Sequence, residues 1–252
     1  MALALFDLDN TLLDGDSDYL WGRFLVEQGV VDAEYYEREN QRFYQDYHNG
    51  CLDIHAFLRF ALEPLTRHDP ITLETLHHRY MAEKVLPIVP LASRQLLARH
   101  RAAGDILLII TATNRFVTAP IAAALGVDHL LATDPQQHPD GRYTGEVLGI
   151  PCFREGKVTR LQQWLATHQQ TLRDSWFYSD SHNDLPLLEA VANPVAVNPD
   201  PLLAATAQQR GWPIISLRTH DETSSRSHVD LGMCGPGRDS PIPGTGESLS
   251  FS

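Results

Sequence analysis

The sequence predicts an α/β protein in which a doubly wound parallel sheet is interrupted by an inserted helical segment. A short apolar strand at residues 2–6 opens the chain and runs directly into acidic residues. From residue 91 onward, apolar runs of strand length alternate with amphipathic helical patterns, which is typical of a parallel sheet covered by helices. Between these two parts, aromatic and apolar residues recur at helical spacing. We therefore expect a sheet-based core and a helical insertion.

The elements of the core follow one another in a regular order. They are a helix at residues 91–102, a strand at 106–111, a helix that ends before Gly126, a strand at 129–133, a hairpin around Asp140 and Gly141, a helix from about Gly156, a strand at 175–179, a helix after Asp184, and strands near Val195 and Ile214. Pro120 leaves the start of the second helix open, because proline favours the first turn of a helix.

The same patterns divide the chain into three parts. Residues 1–15 and 91–218 form the predicted core, and residues 16–90 form the helical insertion. Residues 219–252 are rich in Gly, Ser and Pro and hold few apolar side chains. Such a segment buries too little surface to offset the entropy lost on ordering. We predict that it is a disordered tail.

Composition excludes several classes of protein. The 252 residues carry a formal net charge of −12, which argues against a broad surface for nucleic acids or anionic membranes. The cysteines Cys51, Cys152 and Cys234 are far apart and predict neither a disulfide framework nor a zinc site. The sequence shows no pattern of a signal peptide or a membrane span. We expect a soluble, cytoplasmic protein that binds phosphate locally.

Two carboxylates, Asp7 and Asp9, follow the first strand one residue apart. Side chains at this spacing point the same way from an extended backbone, so both carboxylates converge at the sheet edge where α/β proteins place their sites. Two anions held this close favour Mg²⁺, which takes oxygen ligands and bridges to a substrate phosphate. On this pattern alone, carboxylates that form turns or cap helices are an equal alternative.

Two further motifs are suited to phosphate. Thr111, Ala112 and Thr113 follow the second core strand and offer a hydroxyl and successive backbone N–H groups to phosphate oxygens. A helix N-cap is the alternative for this motif. Lys157, near the start of a later helix, carries an ammonium that can neutralise a nucleophile and a transferring phosphoryl group. A solvated surface position is the alternative for this lysine.

A fourth motif follows the apolar strand that ends at Ser179. Asp180 can complete a metal shell, while Asp184 lies near a helix start, where it caps the helix or holds Lys157 or a metal-bound water. We do not assign His182 to the metal. A hard ion prefers oxygen ligands, and a histidine in an exposed turn is more often solvated.

In order and content, these four motifs resemble the haloacid dehalogenase superfamily of phosphatases, in the subgroup that includes phosphoserine phosphatase. The resemblance covers roughly residues 1–218. It implies a Rossmann-like core whose site is closed by the insertion, residues 16–90, acting as a helical cap.

The resemblance also implies a role for each motif. Asp7 is the nucleophile that forms an aspartyl phosphate, and Asp9 is the general acid and base. The implied Mg²⁺ ligands are the carboxylates of Asp7 and Asp180 and the backbone carbonyl of Asp9. The groups implied to bind the phosphoryl oxygens or the substrate are Thr111, the amides near Ala112 and Thr113, Lys157 and Asn183.

The cap is expected to recognise the leaving group of the substrate, and the sequence identifies the residues for this role less clearly. Asp14, Asp16 and Asp18, with Tyr19 and Trp21, predict an acidic and aromatic entrance that favours an ester carrying an amine or imidazolium. Solvated carboxylates at a helix start explain these acids equally well. The segments DLDNTLLDGDSDYLW and FREGK look like those of relatives assigned to histidinol phosphate, which has this chemistry.

Phosphoserine, which carries a carboxylate, is the alternative substrate. Four arginines of the cap could each bind that carboxylate. They are Arg23, Arg38, Arg42 and Arg59.

Two alternative functions other than phosphate ester hydrolysis remain. A signalling receiver also uses an acidic Mg²⁺ pocket with a Thr and a Lys, but its phosphoacceptor is expected on a later strand and its fold has no cap. A protein that only binds a phosphorylated ligand has no need of the acid and base Asp9. Both readings are less consistent with the motif order than a phosphatase.

Overall fold

The computed structural model describes residues 2–218, so the predicted disordered tail, 219–252, lies outside the described residues. Within that range, one sheet holds seven strands in the order β4-β3-β2-β1-β5-β6-β7. The strands are β1 Leu3–Phe6, β2 Ile106–Asn114, β3 His129–Gln137, β4 Tyr143–Leu148, β5 Trp176–Ser179, β6 Asn193–Val197 and β7 Ile214–Ile215. All neighbours pair in parallel except β3 and β4, which form an antiparallel hairpin.

The helices fall into two groups along the chain. Those between β1 and β2 are α1 Ser17–Glu27, α2 Ala33–His48, α3 Ile54–Thr66, α4 Pro70–Tyr80 and α5 Leu91–Ala102. Those after β2 are α6 Arg115–Leu125, α7 Glu155–His168, α8 Leu185–Leu188 and α9 Pro201–Arg210. A π-helical turn, Met81–Val85, and a 3₁₀ turn, Leu86–Ile88, join α4 to α5, and a 3₁₀ turn, His182–Asp184, precedes α8.

Aspartates begin each of the first four helices. In every case the carboxylate accepts hydrogen bonds from backbone N–H groups of the first turn, which no carbonyl within the helix satisfies. The four capping residues are Asp16, Asp32, Asp53 and Asp69. The local sequence therefore sets where the helices of the insertion start.

The predicted fold class, a doubly wound α/β sheet with helices inserted after its first strand, is confirmed. Two strands are longer than predicted. β2 runs on to Asn114 rather than ending at residue 111, so Thr111, Ala112 and Thr113 lie within it rather than after it. β3 runs on to Gln137 because its second half pairs with β4, and Pro135 lies opposite Val147 in that hairpin. The helix after Asp184 is a single turn. Pro120 lies inside α6 rather than at its start.

β1 lies at the centre of the sheet, between β2 and β5. Phe6 aligns with Ile109 of β2 and with Tyr178 of β5, so the three carboxyl ends meet at one edge. The chain order reverses across β1, which makes this edge the switch point where doubly wound sheets bind their ligands. All four residues of β1 are buried, because alternate side chains enter the hydrophobic cores on the two faces of the sheet.

The helices between β1 and α5 pack against the sheet-based core. Trp21 of α1 is 2% exposed and makes ring contacts with Tyr80 of α4 and Phe116 of α6. The described residues fall in one compact unit. The division into a core and a cap at residues 16–90 stays a prediction. Within the described part of the chain, no helix has the length and apolar character needed to cross a membrane.

The hydroxyl of Tyr80 provides a test of this packing. It is buried and donates a hydrogen bond of 2.6 Å to the carbonyl of Ser17 at the start of α1. Tyr80→Phe removes this buried hydrogen bond, while the carbonyl keeps its partner within α1, so we expect the free energy of unfolding to fall by about 0.5–1.5 kcal/mol in urea denaturation. Tyr35→Phe, at a ring that is 52% exposed, is the control and should change stability little. Equal free energies of unfolding for Tyr80→Phe and the wild type would show that this hydrogen bond does not stabilise the fold.

Candidate active site

Asp7 extends the line of β1 at the switch point. Its backbone N–H donates to the carbonyl of Tyr178 at 2.9 Å, and the residue is 6% exposed. Leu8 turns into the core, where its carbonyl accepts from the N–H groups of Leu12 and Leu13. The chain alternates as expected, so Asp7 and Asp9 face the same cavity.

Lys157 lies in the first turn of α7 and is 3% exposed. Its Nζ donates to Asp7 Oδ1 at 2.7 Å and to the carboxylate of Asp184 at 2.8 Å. Ser179 Oγ donates to Asp184 Oδ2 at 2.8 Å. The solvated alternative for Lys157 is therefore wrong. The capping alternative for Asp184 is also wrong, because its side chain caps no backbone group of α8.

A tight turn before α7 fixes the position of Lys157. At Gly156, an added Cβ would lie 2.1 Å from the carbonyl oxygen of Pro151, so this close approach requires glycine. The backbone N–H of Lys157 donates to the carbonyl of Arg154 at 2.9 Å. The glycine of the motif thus serves packing, and the lysine supplies the charge.

Both carboxylate oxygens of Asp9 accept hydrogen bonds. Oδ1 accepts from the backbone N–H of Ser17 at 2.6 Å, and Oδ2 accepts from Thr113 Oγ1 at 2.8 Å. Thr111 Oγ1 is 3.5 Å from the same Oδ2. Thr111, Ala112 and Thr113 line the cavity together with Asp7 and Asp9. The N-cap of α6 is instead Asn114, whose side chain accepts from the N–H of Val117.

Asp180 follows β5 and accepts a hydrogen bond of 3.0 Å from Thr11 Oγ1. Burial, and then the charge of Asp7, raise the pKa of Asp180 well above its ordinary value. Burial also raises the pKa of Asp7 to about 7, although Lys157 lowers it. Burial and the nearby Asp16 raise the pKa of Asp9 to about 6. The buried carboxylates therefore favour either protonation or a further cation.

The donors fit a hard divalent cation. Asp7 and Asp184 contact the ammonium of Lys157, and Asp180 lies near both of these carboxylates. Together the three carboxylates and the ammonium carry a formal charge of minus two when all are ionised. Across residues 2–218, no three His, Cys, Asp or Glu side chains form a group that could hold a metal ion. An ion at this place could use two carboxylates, those of Asp7 and Asp180, together with the backbone carbonyl of Asp9.

The cavity beside Asp7 and Asp9 is acidic and aromatic. Asp16 and Asp18 lie on its wall, and no Arg, Lys or His is among the described residues that line it. Burial, and then the charges of Asp16 and Asp9, raise the pKa of Asp18 well above its ordinary value. The rest of the wall comes from α1, α2, α3 and the turns beside them, and it combines aromatic rings with one amide and two aliphatic side chains: Tyr19, Asn40, Phe43, Tyr44, Tyr47, Leu52, Ile54 and Phe57.

Two residues of the predicted entrance lie elsewhere. Asp14 points away and forms an ion pair of 2.8 Å with Arg218. Trp21 is a core residue because its ring fills the space between α1, α4 and α6. Neither position could be read from sequence proximity to Asp9, because the turn that follows β1 reverses the chain.

The arginines that could have bound a substrate carboxylate do not line this cavity. Arg42 and Arg59 lie in a separate groove, Arg23 lies in another, and Arg38 pairs with Glu39. The sequence predicts an exposed turn at His182, but the residue is partly buried, and its Nδ1 lies 2.8 Å from Asp200 Oδ2.

Asn183 is 5% exposed and does not line the cavity. Its Oδ1 accepts from Arg154 Nε at 2.9 Å, and its Nδ2 donates to Ser181 Oγ at 3.3 Å. A contact of Asn183 with substrate therefore stays a prediction. The sequence reasoning assigned no role to Arg154 or to Tyr47, since only the fold brings α2 beside the start of α7.

The raised pKa of Asp7 predicts how stability depends on pH. Between the ordinary pKa of 3.8 and the folded pKa of about 7, the folded protein binds this proton more tightly than the unfolded chain. In metal-chelated protein, Asp7 therefore contributes a free energy of unfolding that falls as the pH rises through this range. Asp7→Asn removes that contribution.

Urea denaturation at several pH values in EDTA measures this effect. We expect Asp7→Asn to lose less stability than the wild type between pH 4 and 7. Asp140→Asn, at an exposed hairpin carboxylate, is the control and should follow the wild type. Parallel curves for Asp7→Asn and the wild type would show that Asp7 is not a destabilising buried charge.

Several known proteins are similar to this chain in sequence and in fold. Residues 4–189 match the family model described as haloacid dehalogenase-like hydrolase. A histidinol-phosphatase of Neisseria meningitidis serogroup C is 47% identical over 219 residues, which cover 86% of this chain and 99% of that protein. A phosphoserine phosphatase of Mycobacterium tuberculosis is 31% identical over 223 residues, covering 86% of this chain and 71% of that protein.

Solved structures agree with these sequence matches. A Bordetella pertussis Tohama I protein of unknown function is 48% identical, with a TM-score of 0.81 and coverage of 86% of this chain and 99% of that one. A phosphoserine phosphatase, solved as an analogue of its phospho-aspartyl intermediate, shares the fold at 18% identity, with a TM-score of 0.63 and coverage of 86% and 93%. The resemblance inferred from the four motifs is confirmed, and this chain belongs to the haloacid dehalogenase-like hydrolase family.

Proposed function

We propose that this protein hydrolyses small phosphate monoesters that carry a positive charge, with histidinol phosphate as the preferred substrate. One observation carries the proposal. The cavity that contains Asp7 and Asp9 continues between Asp16, Asp18 and a wall of aromatic rings, and no basic side chain is among its described lining residues. Phosphate is bound at one end of such a cavity, and a cationic leaving group fits the other.

In the proposed reaction, an oxygen of Asp7 attacks phosphorus in line with the ester oxygen. The bond from phosphorus to the ester oxygen breaks, and Asp9 gives its proton to the departing alkoxide. Asp9 then takes a proton from water, which attacks the aspartyl phosphate at phosphorus and releases inorganic phosphate and the free carboxylate of Asp7. The folded pKa of Asp9, about 6, allows both the protonated and the ionised form near neutral pH.

Fixed positive charge and hydrogen-bond donors support this reaction. Lys157, already bonded to Asp7, lies where it can neutralise charge that develops on the phosphoryl oxygens. Thr111 Oγ1, the amides of Ala112 and Thr113, and Asn183 are the proposed phosphoryl or substrate ligands. The hydroxyl of Thr113 serves a different purpose, since it orients Asp9.

Mg²⁺ is the proposed cofactor. The carboxylates of Asp7 and Asp180 and the backbone carbonyl of Asp9 would hold it, and Asp184 would act behind them through Lys157. When bound, the ion supplies the positive charge that these carboxylates lack and binds a phosphoryl oxygen. A cytoplasmic location stays a prediction from cysteine usage.

Histidinol phosphate is favoured over phosphoserine by charge. It carries an ammonium and an imidazole but no carboxylate, so it brings only neutral or positive groups to Asp16 and Asp18. Phosphoserine would bring a carboxylate to the same wall, where the described lining holds no arginine to receive it. The relative from Neisseria meningitidis that is named a histidinol-phosphatase supports the same choice.

Phosphoserine is the second candidate substrate, because a 31% identical relative is named for it. A signalling receiver or a simple phosphate binder is less well supported. Neither needs an acid and base held at both oxygens, as Asp9 is by Ser17 and Thr113.

A phosphate-release screen tests the proposal. We expect Mg²⁺-dependent hydrolysis with histidinol phosphate ahead of phosphoserine and nucleoside monophosphates, and loss of activity in EDTA. Asp7→Asn should lower kcat by about 1000-fold or more, because it removes the nucleophile while nearly preserving volume. Circular dichroism and melting temperature control for folding. Wild-type rates in folded Asp7→Asn, or a screen without any hydrolysed monoester, would refute the proposal.

Asp18→Asn tests whether Asp18 recognises the cationic leaving group of the substrate. Asp18 lies on the cavity wall and accepts a long hydrogen bond, 3.4 Å, from Asn114 Nδ2. If it binds the substrate cation, its loss should raise KM for histidinol phosphate about tenfold, as expected for a charged hydrogen bond. Glycerol phosphate, which is uncharged beyond its phosphate, is the matched substrate and should change less than twofold. Equal changes for both esters would exclude this role.

A further inference from the structure

Arg154 joins two distant parts of the chain through one guanidinium. Its Nη2 donates to the carbonyl of Gly50, in the turn between α2 and α3, at 2.5 Å. Its Nε donates to Asn183 Oδ1, in the acidic motif after β5, at 2.9 Å. Both acceptors are neutral, so the contact is a pair of oriented hydrogen bonds rather than an ion pair.

The backbone of Arg154 adopts a conformation that side chains rarely take. Its φ is 48° and its ψ is −121°, and strain of this kind persists where the surroundings fix it. The carbonyl of the same residue accepts the N–H of Lys157. The turn that places the Lys157 ammonium therefore also aims the guanidinium at Gly50 and Asn183.

Aromatic contacts reinforce this link beside the cavity. The Arg154 guanidinium carbon lies 5.0 Å from the centre of the Phe153 ring, and that ring is 6.2 Å from the ring of Tyr47 at the end of α2. Tyr47 lines the cavity together with Asp7. The end of α2 thus carries both a cavity wall residue and, three residues later, the carbonyl that Arg154 binds.

We propose that Arg154 is a positioning residue that fastens the α2–α3 turn over the cavity and, by the same guanidinium, fixes the amide of Asn183. The proposal rests on the proposed phosphatase activity for its kinetic consequence. It assigns Arg154 no contact with substrate. Its effect passes through the turn at Gly50, which holds Tyr47 in the wall, and through Asn183.

Two variants separate the side chain from the strained backbone. Arg154→Ala removes the guanidinium and keeps the strain, whereas Arg154→Gly removes the guanidinium and relieves the strain at positive φ. A merely structural role predicts different melting temperatures and different activities for the two. The proposed role predicts the same kinetic defect in both, because both lose the same two hydrogen bonds.

The kinetic experiment compares histidinol phosphate with p-nitrophenyl phosphate. We expect both variants to raise KM for histidinol phosphate about tenfold, as for the loss of a charged hydrogen bond, with a smaller change for p-nitrophenyl phosphate. Arg154→Lys, which cannot donate as a fork, should be intermediate. Arg142→Ala, an exposed hairpin arginine, is the control. A change below twofold in both Arg154→Ala and Arg154→Gly would overturn the proposal.

Hydrogen–deuterium exchange tests the link without any substrate. Peptides from residues 44–56 should exchange at least threefold faster in Arg154→Ala and Arg154→Gly than in the wild type and in Arg142→Ala, while peptides of β1 stay unchanged. Unchanged exchange in that segment would overturn the link even if the enzyme proves to hydrolyse another class of ester. A wild type inactive on every phosphomonoester would instead refute the proposed function and leave this measurement valid.

Discussion

The buried ammonium of Lys157, held between Asp7 and Asp184, is the interaction on which the candidate site depends. Burying carboxylates without a cation is costly, and removing one partner of such a pair leaves an uncompensated charge. Asp7 and Lys157 are 150 residues apart in the sequence, so only the tertiary fold brings them within 2.7 Å. The central position of β1, at the switch point of the sheet, makes this possible because parallel neighbours direct their carboxyl ends to one edge. A divalent cation that also binds a phosphoryl oxygen would compensate the negative charge that remains.

Much of this arrangement follows from local sequence. The apolar strand before Asp7 and the apolar strand before Asp180 predict their own burial, and parallel pairing then places the two carboxylates together. The helix starts of the insertion follow from capping aspartates such as Asp32 and Asp53. Lys157 alone carried no such signal, because a single lysine near a helix start is usually exposed. Its burial became predictable only through the order of all four motifs.

Positions set by tertiary packing could not be predicted in this way. Asp14 and Asp18 are both aspartates and lie four positions apart in the sequence. Asp14 nevertheless pairs with Arg218, whereas Asp18 lines the cavity. Trp21 is buried because α4 and α6 close around it, which its own neighbours do not encode. Arg154 gains its partners from the turn after α2 and from the motif after β5. The carboxylates of the proposed chemistry thus follow strand ends, whereas the proposed selection of the leaving group depends on how the helices of the insertion pack.

In the proposed reaction, the carboxylate of Asp7 becomes covalently bonded to phosphorus. Asp9→Asn should slow the attack of water on that species, because the base is lost while Asp7 and Lys157 remain paired. The same variant also lacks the acid of the first step, so p-nitrophenyl phosphate, whose leaving group needs no proton, is the substrate for this test. Acid quenching of Asp9→Asn during turnover of this ester, followed by peptide mass spectrometry, measures the intermediate directly. We expect a phosphoryl group on Asp7 in the N-terminal peptide. Phosphate release without any phosphoryl adduct at Asp7, or an adduct on another residue, would contradict it.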